Sequence, residues 1–454
     1  DIPYDFEPTN DNGDAMDIDL SGYETDSWRM SNYKRSINNL KHYPDVKFIA
    51  SCWSPPAWMK DLSRDVYDGH CSNGPNVCGG HLATAHYQEF AEFMVAYYRT
   101  IERDCGVQMY GLSIQNELAF IEPYKSCVYT PEEYRDVLKV VRARFDAEGI
   151  DVRLFGAEDM AQALANRPYF GVVNMDPEAK AALDAVAVHG YSNGVDPTPA
   201  GGVFTVWSNV ARVGDGMGKP VWMTETSGFA TNWNGALELA VTMHVTLSAA
   251  DLTLWAFWAL DENKLSTSGL ANNNAHTNRS YAAKQYYRYV RPGAVRIEAQ
   301  SDDDNVAVTA YHHPGDNTLA IVLINWSNSS QNVSLSGDGL PQFTAYRSDA
   351  SQGCANSGSV TSSTTLPAQS VTTLYGEGYS PSVSATVPRE SCVGASVVGQ
   401  ALRTATYSLG GRRLSPRVVG ETGAGATGVR IVHNGRTATL RVLRAEPVRA
   451  VQAQ

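Results

Sequence analysis

Between about residues 45 and 290, short apolar runs alternate with amphipathic stretches of helical period. Val46–Trp53, Met109–Asn116, Val152–Glu158, Ala185–Tyr191, Pro220–Glu225 and Leu252–Trp258 read as strands that are almost continuously apolar. Strands of that kind are buried on both faces, as in a parallel sheet covered by helices. The segments between them supply the helices. Ala83–Arg103 has the helical period, and Thr130-Pro131-Glu132-Glu133 places a capping hydroxyl and a proline where another helix begins. Polar residues fall at the carboxyl ends of the strands, which favours an α/β fold of the (β/α)8 TIM-barrel type over an open doubly wound sheet. Only six strands of this kind are found. The first 45 residues, rich in Asp, Asn and Gly, read as a long loop with one helix over Asp26–Leu40. Eight strands close such a barrel, so two N-terminal strands are expected to be missing from the chain as it stands.

After Val290-Arg291-Pro292-Gly293 the period shortens to two. Ala294–Ala299, Val306–His312, Leu319–Trp326, Val333–Leu335, Phe343–Arg347 and Val371–Tyr375 alternate apolar and polar residues between Gly-, Asn-, Ser- and Asp-rich turns. That is the pattern of a β-sandwich. The division expected is a barrel over 1–292, a β-sandwich over 293–378, a linker over 379–385 and a small C-terminal β module over 386–454. The module resembles sorting domains appended to secreted proteins.

Charge separates the last module from the rest. The chain carries −12 overall, yet Pro381–Gln454 holds ten Arg, three Glu and no Lys, leaving −19 for the 380 residues before it. A surface so acidic excludes nucleic acid, whose binding rests on Lys and Arg neutralising phosphates. No apolar run is long enough to span a membrane. Of the 7 Cys, Cys71 and Cys78 flank a Gly- and Asn-rich loop and suit a local disulfide in an oxidising compartment, so a secreted monomer is expected. Cys105 with Cys127 is a weaker second pair, and Cys52, inside an apolar strand, reads as a buried free thiol. No His and Cys spacing suits a metal, and no cofactor is called for.

Two strand ends carry the chemistry. Gly111-Leu112-Ser113-Ile114-Gln115-Asn116-Glu117 is an apolar strand that stops abruptly in three polar side chains. Pro220-Val221-Trp222-Met223-Thr224-Glu225 repeats the plan. A lone acid at such a place is more often a loop or capping carboxylate. Two of them on strands that converge can flank a sugar's anomeric carbon, one as proton donor and one as nucleophile. Apolar surroundings penalise a charged carboxyl and so suit the donor, Glu117. The nucleophile, Glu225, must stay ionised and needs hydrogen-bond donors. Tyr191, ending Val186-Ala187-Val188-His189-Gly190-Tyr191, is placed to be one, and His189 lies two residues before it. Asn116 is placed to bond a sugar hydroxyl. Trp258, ending Leu254-Trp255-Ala256-Phe257-Trp258, offers an aromatic floor.

Together, Gln-Asn-Glu, His-Gly-Tyr and Trp-Met-Thr-Glu resemble the retaining barrel hydrolases. Ala50-Ser51-Cys52-Trp53-Ser54-Pro55-Pro56-Ala57-Trp58-Met59-Lys60 and Tyr286-Tyr287-Arg288-Tyr289-Val290-Arg291-Pro292-Gly293 resemble glycoside hydrolase family 30 in particular. The resemblance spans roughly 20–376. It implies a barrel with an attached β-sandwich, Glu117 as acid/base, Glu225 as nucleophile, Trp53 and Trp58 near the substrate, and no metal or organic cofactor. The family usually has Pro after Gln-Asn-Glu, where this chain has Leu118. Asn278-Arg279-Ser280-Tyr281 resembles the Arg-x-Tyr with which glucuronoxylan-cleaving members hold a uronate branch, so Arg279 and Tyr281 join the candidate substrate residues. The expected substrate is therefore a β-linked polysaccharide, (glucurono)xylan first, with β-1,6-glucan or β-1,6-galactan as the alternative. The rival from another class is a catalytically dead glycan-binding barrel, against which both carboxylates argue.

Overall fold

The computed structural model describes residues 1–164, 166–191 and 202–379, and beyond them the short strands Thr406–Tyr407, Arg413–Leu414, Val429–His433 and Arg436–Thr437. The rest of the expected linker and C-terminal module, with Cys392, lies outside the described residues. The chain divides into two compact units. The first comprises Asp1–Gly194, Ser208–Thr226 and Leu252–Ala256; the second comprises Val195–Trp207, Ser227–Asp251 and Phe257–Gln454.

The first unit is built on a parallel sheet whose strands lie side by side in chain order: β1 (Ile49–Ser51), β2 (Gly111–Ser113), β3 (Arg153–Met160), β4 (Ala185–His189), β5 (Val221–Glu225) and β6 (Leu254–Trp255). A doubly wound sheet reverses its strand order part-way, and this one does not. The helices of the chain run in order as α1 (Trp28–Leu40), α2 (Tyr87–Cys105), α3 (Pro131–Ala147), α4 (Tyr169–Met175), α5 (Pro177–Ala182), α6 (Gly202–Met217), α7 (Trp233–Ala250) and α8 (Asn278–Tyr287), the last two belonging to the second unit. The helix expected after Thr130 is α3, where Thr130 and Glu133 cap each other's backbone in a capping box. Gly106, at φ +64°, ends α2 in the left-handed conformation that a glycine adopts without strain.

The sheet is curled. Ile49, Tyr110, Phe155, Ala185, Ala187, Trp222 and Leu254, contributed from β1 through β6, pack into one cluster. The Trp222 ring lies 5.3 Å from Phe155 and 5.8 Å from Tyr110, although β2 and β5 are three strands apart. In a flat sheet that separation is about 14 Å, and side chains standing off the surface would not meet. Curvature therefore points the carboxyl ends of these strands towards a common axis.

Cys71 and Cys78 form the expected disulfide, with Cα atoms 5.8 Å apart, in the turn between the paired strands Lys60–Val66 and Gly79–Leu82. Cys52 is a buried free thiol. The Cys105–Cys127 pair expected from sequence is not formed, and both thiols are free. Cys105 ends α2 and packs on α1, where Asn38 Nδ2 donates to its Sγ at 3.8 Å.

In the second unit, strands β7 (Val295–Ile297), β8 (Val306–His313), β9 (Thr318–Asn325), β10 (Gln331–Gly337), β11 (Phe343–Asp349), β12 (Gln352–Val360), β13 (Ser363–Leu366) and β14 (Ser370–Glu377) form two antiparallel sheets. β8, β9, β11 and β14 supply most of a core that includes Val306, Ile321, Leu323, Phe343 and Leu374. Tyr379, placed in the linker by sequence, is buried in that core, because its backbone amide donates to Asn317 O at 2.9 Å and turns the ring inward. Strand Val429–His433 pairs antiparallel with β10. Among the described residues, no helix is long and apolar enough to cross a membrane.

Candidate active site

Four acidic and basic side chains meet where β2 to β5 end. Beyond β2 the backbone stays tied to β1 through Asn116 N to Cys52 O at 2.7 Å, and the chain then turns at Glu117 with φ +46°. Glu158 has φ +52° within β3, where the pairing with β4 slips by one residue. A second slip, between β4 and β5, sets His189 opposite Glu225, with Gly190 N donating to Glu225 O at 2.9 Å. Bulges re-aim side chains at barrel rims, and non-glycine residues in the left-handed region persist only where surrounding structure holds them.

These irregularities aim the carboxyls at one imidazole. His189 Nδ1 donates to Glu117 Oε1 at 2.8 Å and lies 3.7 Å from Glu225 Oε2. Its Nε2 stands 3.6 Å from Glu158 Oε1, ion-pair range without a completed hydrogen bond. Tyr191 Oη donates to Glu225 Oε2 at 2.9 Å. One oxygen each of Glu117 and Glu225 and a ring nitrogen of His189 all lie within 4.8 Å of one another.

Charge follows geometry. Burial opposes a charge on His189, but the Glu225 carboxylate and the approaches of Glu117 and Glu158 outweigh it and raise the imidazole to about 10. His189 is therefore an imidazolium at neutral pH. Burial also dominates at Glu225 and pushes its carboxyl up to about 7, raised further by Glu158 and Glu117 and restrained by His189 and the Tyr191 hydrogen bond. Glu225, expected from sequence to need donors around it, has the Tyr191 hydroxyl as a donor and the His189 imidazolium 3.7 Å away. The spacing of Glu117, His189 and Glu225 would also suit a cation, which would have to displace the His189 proton. As arranged, the imidazolium itself supplies positive charge among three carboxyl groups. Two carboxyls at this range can serve as acid/base and nucleophile, since retaining hydrolases hold theirs about 5–5.5 Å apart.

Residues 4–201 match the Glycosyl hydrolase family 30 TIM-barrel domain, and residues 293–374 match the Glycosyl hydrolase family 30 beta sandwich domain. The chain belongs to glycoside hydrolase family 30. Glucuronoxylanase XynC of Bacillus subtilis (strain 168) is 28% identical over 340 residues, covering 72% of this chain and 73% of that protein. Endo-1,6-beta-D-glucanase neg1 of Aspergillus fumigatus is 27% identical over 307 residues, covering 63% and 59%. Among solved structures, the family 30 subfamily 8 xylanase Xyn30A of Clostridium acetobutylicum superposes with a TM-score of 0.63 at 21% identity, over 78% of this chain and 85% of that one, a likeness of fold. This family 30 chain is a glycosidase.

The remaining residues singled out from the glycosidase's sequence fall into different settings. Trp53 is half-buried, its ring 5.7 Å from Tyr124 and 5.1 Å below the Lys125 ammonium. Trp58 donates through Nε1 to Glu7 O at 3.1 Å and meets His86 edge-on, so its indole is anchored to the loop before α1. Asn116 is buried, and its Oδ1 has no partner. Trp258, in the second unit, is 41% exposed.

Arg279 corrects the sequence reading. Arg279 was expected to present its guanidinium to a uronate. It is fully buried in the second unit and donates to Phe229 O at 2.7 Å and to Ser266 O. The cause is local: Thr277 and Ser280 form a capping box that starts α8 at Asn278, and the first-turn Arg279 points into the interior. The Tyr281 ring covers Gly353, where a Cβ would approach it to 2.4 Å, and its carbonyl accepts from Ser348 Oγ at 3.0 Å.

Sequence reasoning passed over Glu158. Its signal was available, an acid ending the apolar run Leu154-Phe155-Gly156-Ala157 on a barrel strand, the rule that picked out Glu117 and Glu225.

Proposed function

We propose that this glycosidase is a retaining hydrolase of the xylan backbone, with Glu117 as acid/base and Glu225 as nucleophile. The observation that carries the proposal is that the two carboxyls lie within 4.8 Å around a shared imidazolium. In the first step Glu117 protonates the glycosidic oxygen while a Glu225 oxygen attacks the anomeric carbon; the C–O bond to the leaving sugar breaks and a glycosyl ester forms. In the second, Glu117 takes a proton from water, whose oxygen displaces Glu225. The Tyr191 hydroxyl and the His189 imidazolium hold negative charge on Glu225 before attack. Glu158 adds to the charged form of His189, after Glu225 and Glu117.

Similarity to the glucuronoxylanases at 26–28% identity supports xylan. The burial of Arg279 counts against a uronate clamp at that position, so the reading concerns the backbone and not the branch. The second reading is β-1,6-glucan, supported by the 27% identical fungal glucanase. The Cys71–Cys78 disulfide suits an oxidising, extracellular setting.

Replacing Glu225 by Gln keeps size and hydrogen bonding but removes the nucleophile, and turnover is expected to fall at least about 10³-fold with binding retained. Undiminished turnover refutes the assignment. Wild-type rates on plain xylan, glucuronoxylan and β-1,6-glucan, measured side by side, decide between the two substrates.

A further inference from the structure

The second unit contains a cleft of about 260 Å³ that uses none of the residues of the carboxylate cluster. Its lining is Asn234, Leu237, Glu238 and Val241 of α7 together with Trp326 and Gln369. Leu237 and Val241 are buried and form a floor, while Asn234 and Glu238, four residues apart on the same helix face, are exposed beside them. The half-buried Trp326 directly follows β9.

The walls are held in place before any ligand arrives. Trp326 donates through Nε1 to Asp304 O and through its backbone amide to Asn305 O, at 3.1 and 3.2 Å, which fixes the ring plane. Gln369 stands at φ +49°, its amide bonded to Ser327 O and its Nε2 to Asn328 Oδ1, both at 3.0 Å. Its carbonyl accepts from Trp233 Nε1 at 2.7 Å. A site with so few free torsions loses little entropy on binding.

The chemistry of the lining narrows the ligand. It offers an indole, one carboxylate and two carboxamides, and no cation, so it does not suit an anion. The volume falls just short of the roughly 300 Å³ at which drug-sized sites begin. An aromatic face with side-chain acceptors and donors at its edge is what a pyranose ring needs, with its apolar C–H face and its rim of hydroxyls. We infer that this cleft is a second sugar-binding site, which takes one ring of a polysaccharide chain and holds the enzyme to its substrate without cleaving it. The inference rests on the glycosidase assignment and not on which glycan is cleaved.

The full-length protein tests it with Trp326→Ala, Trp326→Phe and Asn234→Ala variants. Two quantities are measured: partition onto insoluble xylan and insoluble β-1,6-glucan, and kcat/KM on a small soluble aryl β-glycoside that the parent hydrolyses. Expected is about a tenfold weaker partition for Trp326→Ala, the loss of one stacked ring, with Phe restoring most of it and Asn234→Ala weakening it less. The soluble-substrate rate should stay within about twofold of the parent, since none of these residues lies in the carboxylate cluster. Partition equal to the parent's in both alanine variants overturns the proposal. So does a loss of partition matched by an equal loss of soluble hydrolysis in both, which would mark a folding role. Failure of Glu225→Gln to stop hydrolysis would sink the catalytic assignment and leave this binding result standing.

Discussion

As the proposed nucleophile, Glu225 must be ionised to attack, and burial works against that ionisation. With its carboxyl held near 7, the nucleophile gains a proton as pH falls below neutrality. The kcat/KM profile should therefore drop about tenfold per unit on the acidic side of an apparent pKa near 7. A flat profile down to pH 5 would show that Glu225 is not the group being titrated. Glu158 offers a finer check. Its charge raises Glu225, while His189 would keep Glu117 and Glu225 as partners without it. Glu158→Gln should thus move the acidic limb to lower pH, whereas a purely structural role would reduce the rate without moving the limb. The same imidazole affects stability. Its pKa is raised from 6.5 to about 10, so its contribution is complete below 6.5 and is lost as pH climbs towards 10.

Among the elements, α2 carries a second consequence of buried acid. Glu92 on α2 and Glu7 in the loop before α1 are both fully buried, and none of their carboxyl oxygens has a partner. Burial first, then the charge of Asp11, raises Glu7 to about 9 and Glu92 to about 8, so both are protonated at neutral pH. The folded state thus binds protons that the unfolded chain releases above about 4.5, and these two groups stabilise less and less as pH rises from there towards 9. Thermal unfolding followed from pH 5 to 9 should show that decline, and Glu92→Gln should flatten it. At α8, Arg279→Ala would strip the donors from two carbonyls. We expect a loss of about 2 kcal/mol or more in denaturant unfolding, with no change in preference between plain and decorated xylan. A shift in preference without destabilisation would revive the uronate reading. The α3 cap at Thr130 and the β-sandwich alternation were plain in the sequence. β12 was not, because Gln352–Val360 runs along a sheet edge, half-buried or exposed almost throughout, and needs no apolar alternation to pair with β11.

At the scale of the whole molecule, curvature of the parallel sheet is what turns strand ends into a site. Residues 117, 158, 189 and 225 lie far apart in the chain and converge because the strands that carry them curl around the cluster of Phe155 and Trp222. Closing the Cys71–Cys78 turn adds local stability of about 2 kcal/mol, so reduction should lower the melting temperature, with hydrolysis unaffected below it. By itself the sequence determined the strand and helix periods, the two strand-end carboxylates and the local disulfide, because each depends on neighbours within a few residues. Tertiary structure alone decided which side chains meet. It set His189 among three acids, enlisted Glu158, kept Cys105 from Cys127 and turned Arg279 inward. Those outcomes follow from backbone slips and packing between distant segments, which no local pattern encodes.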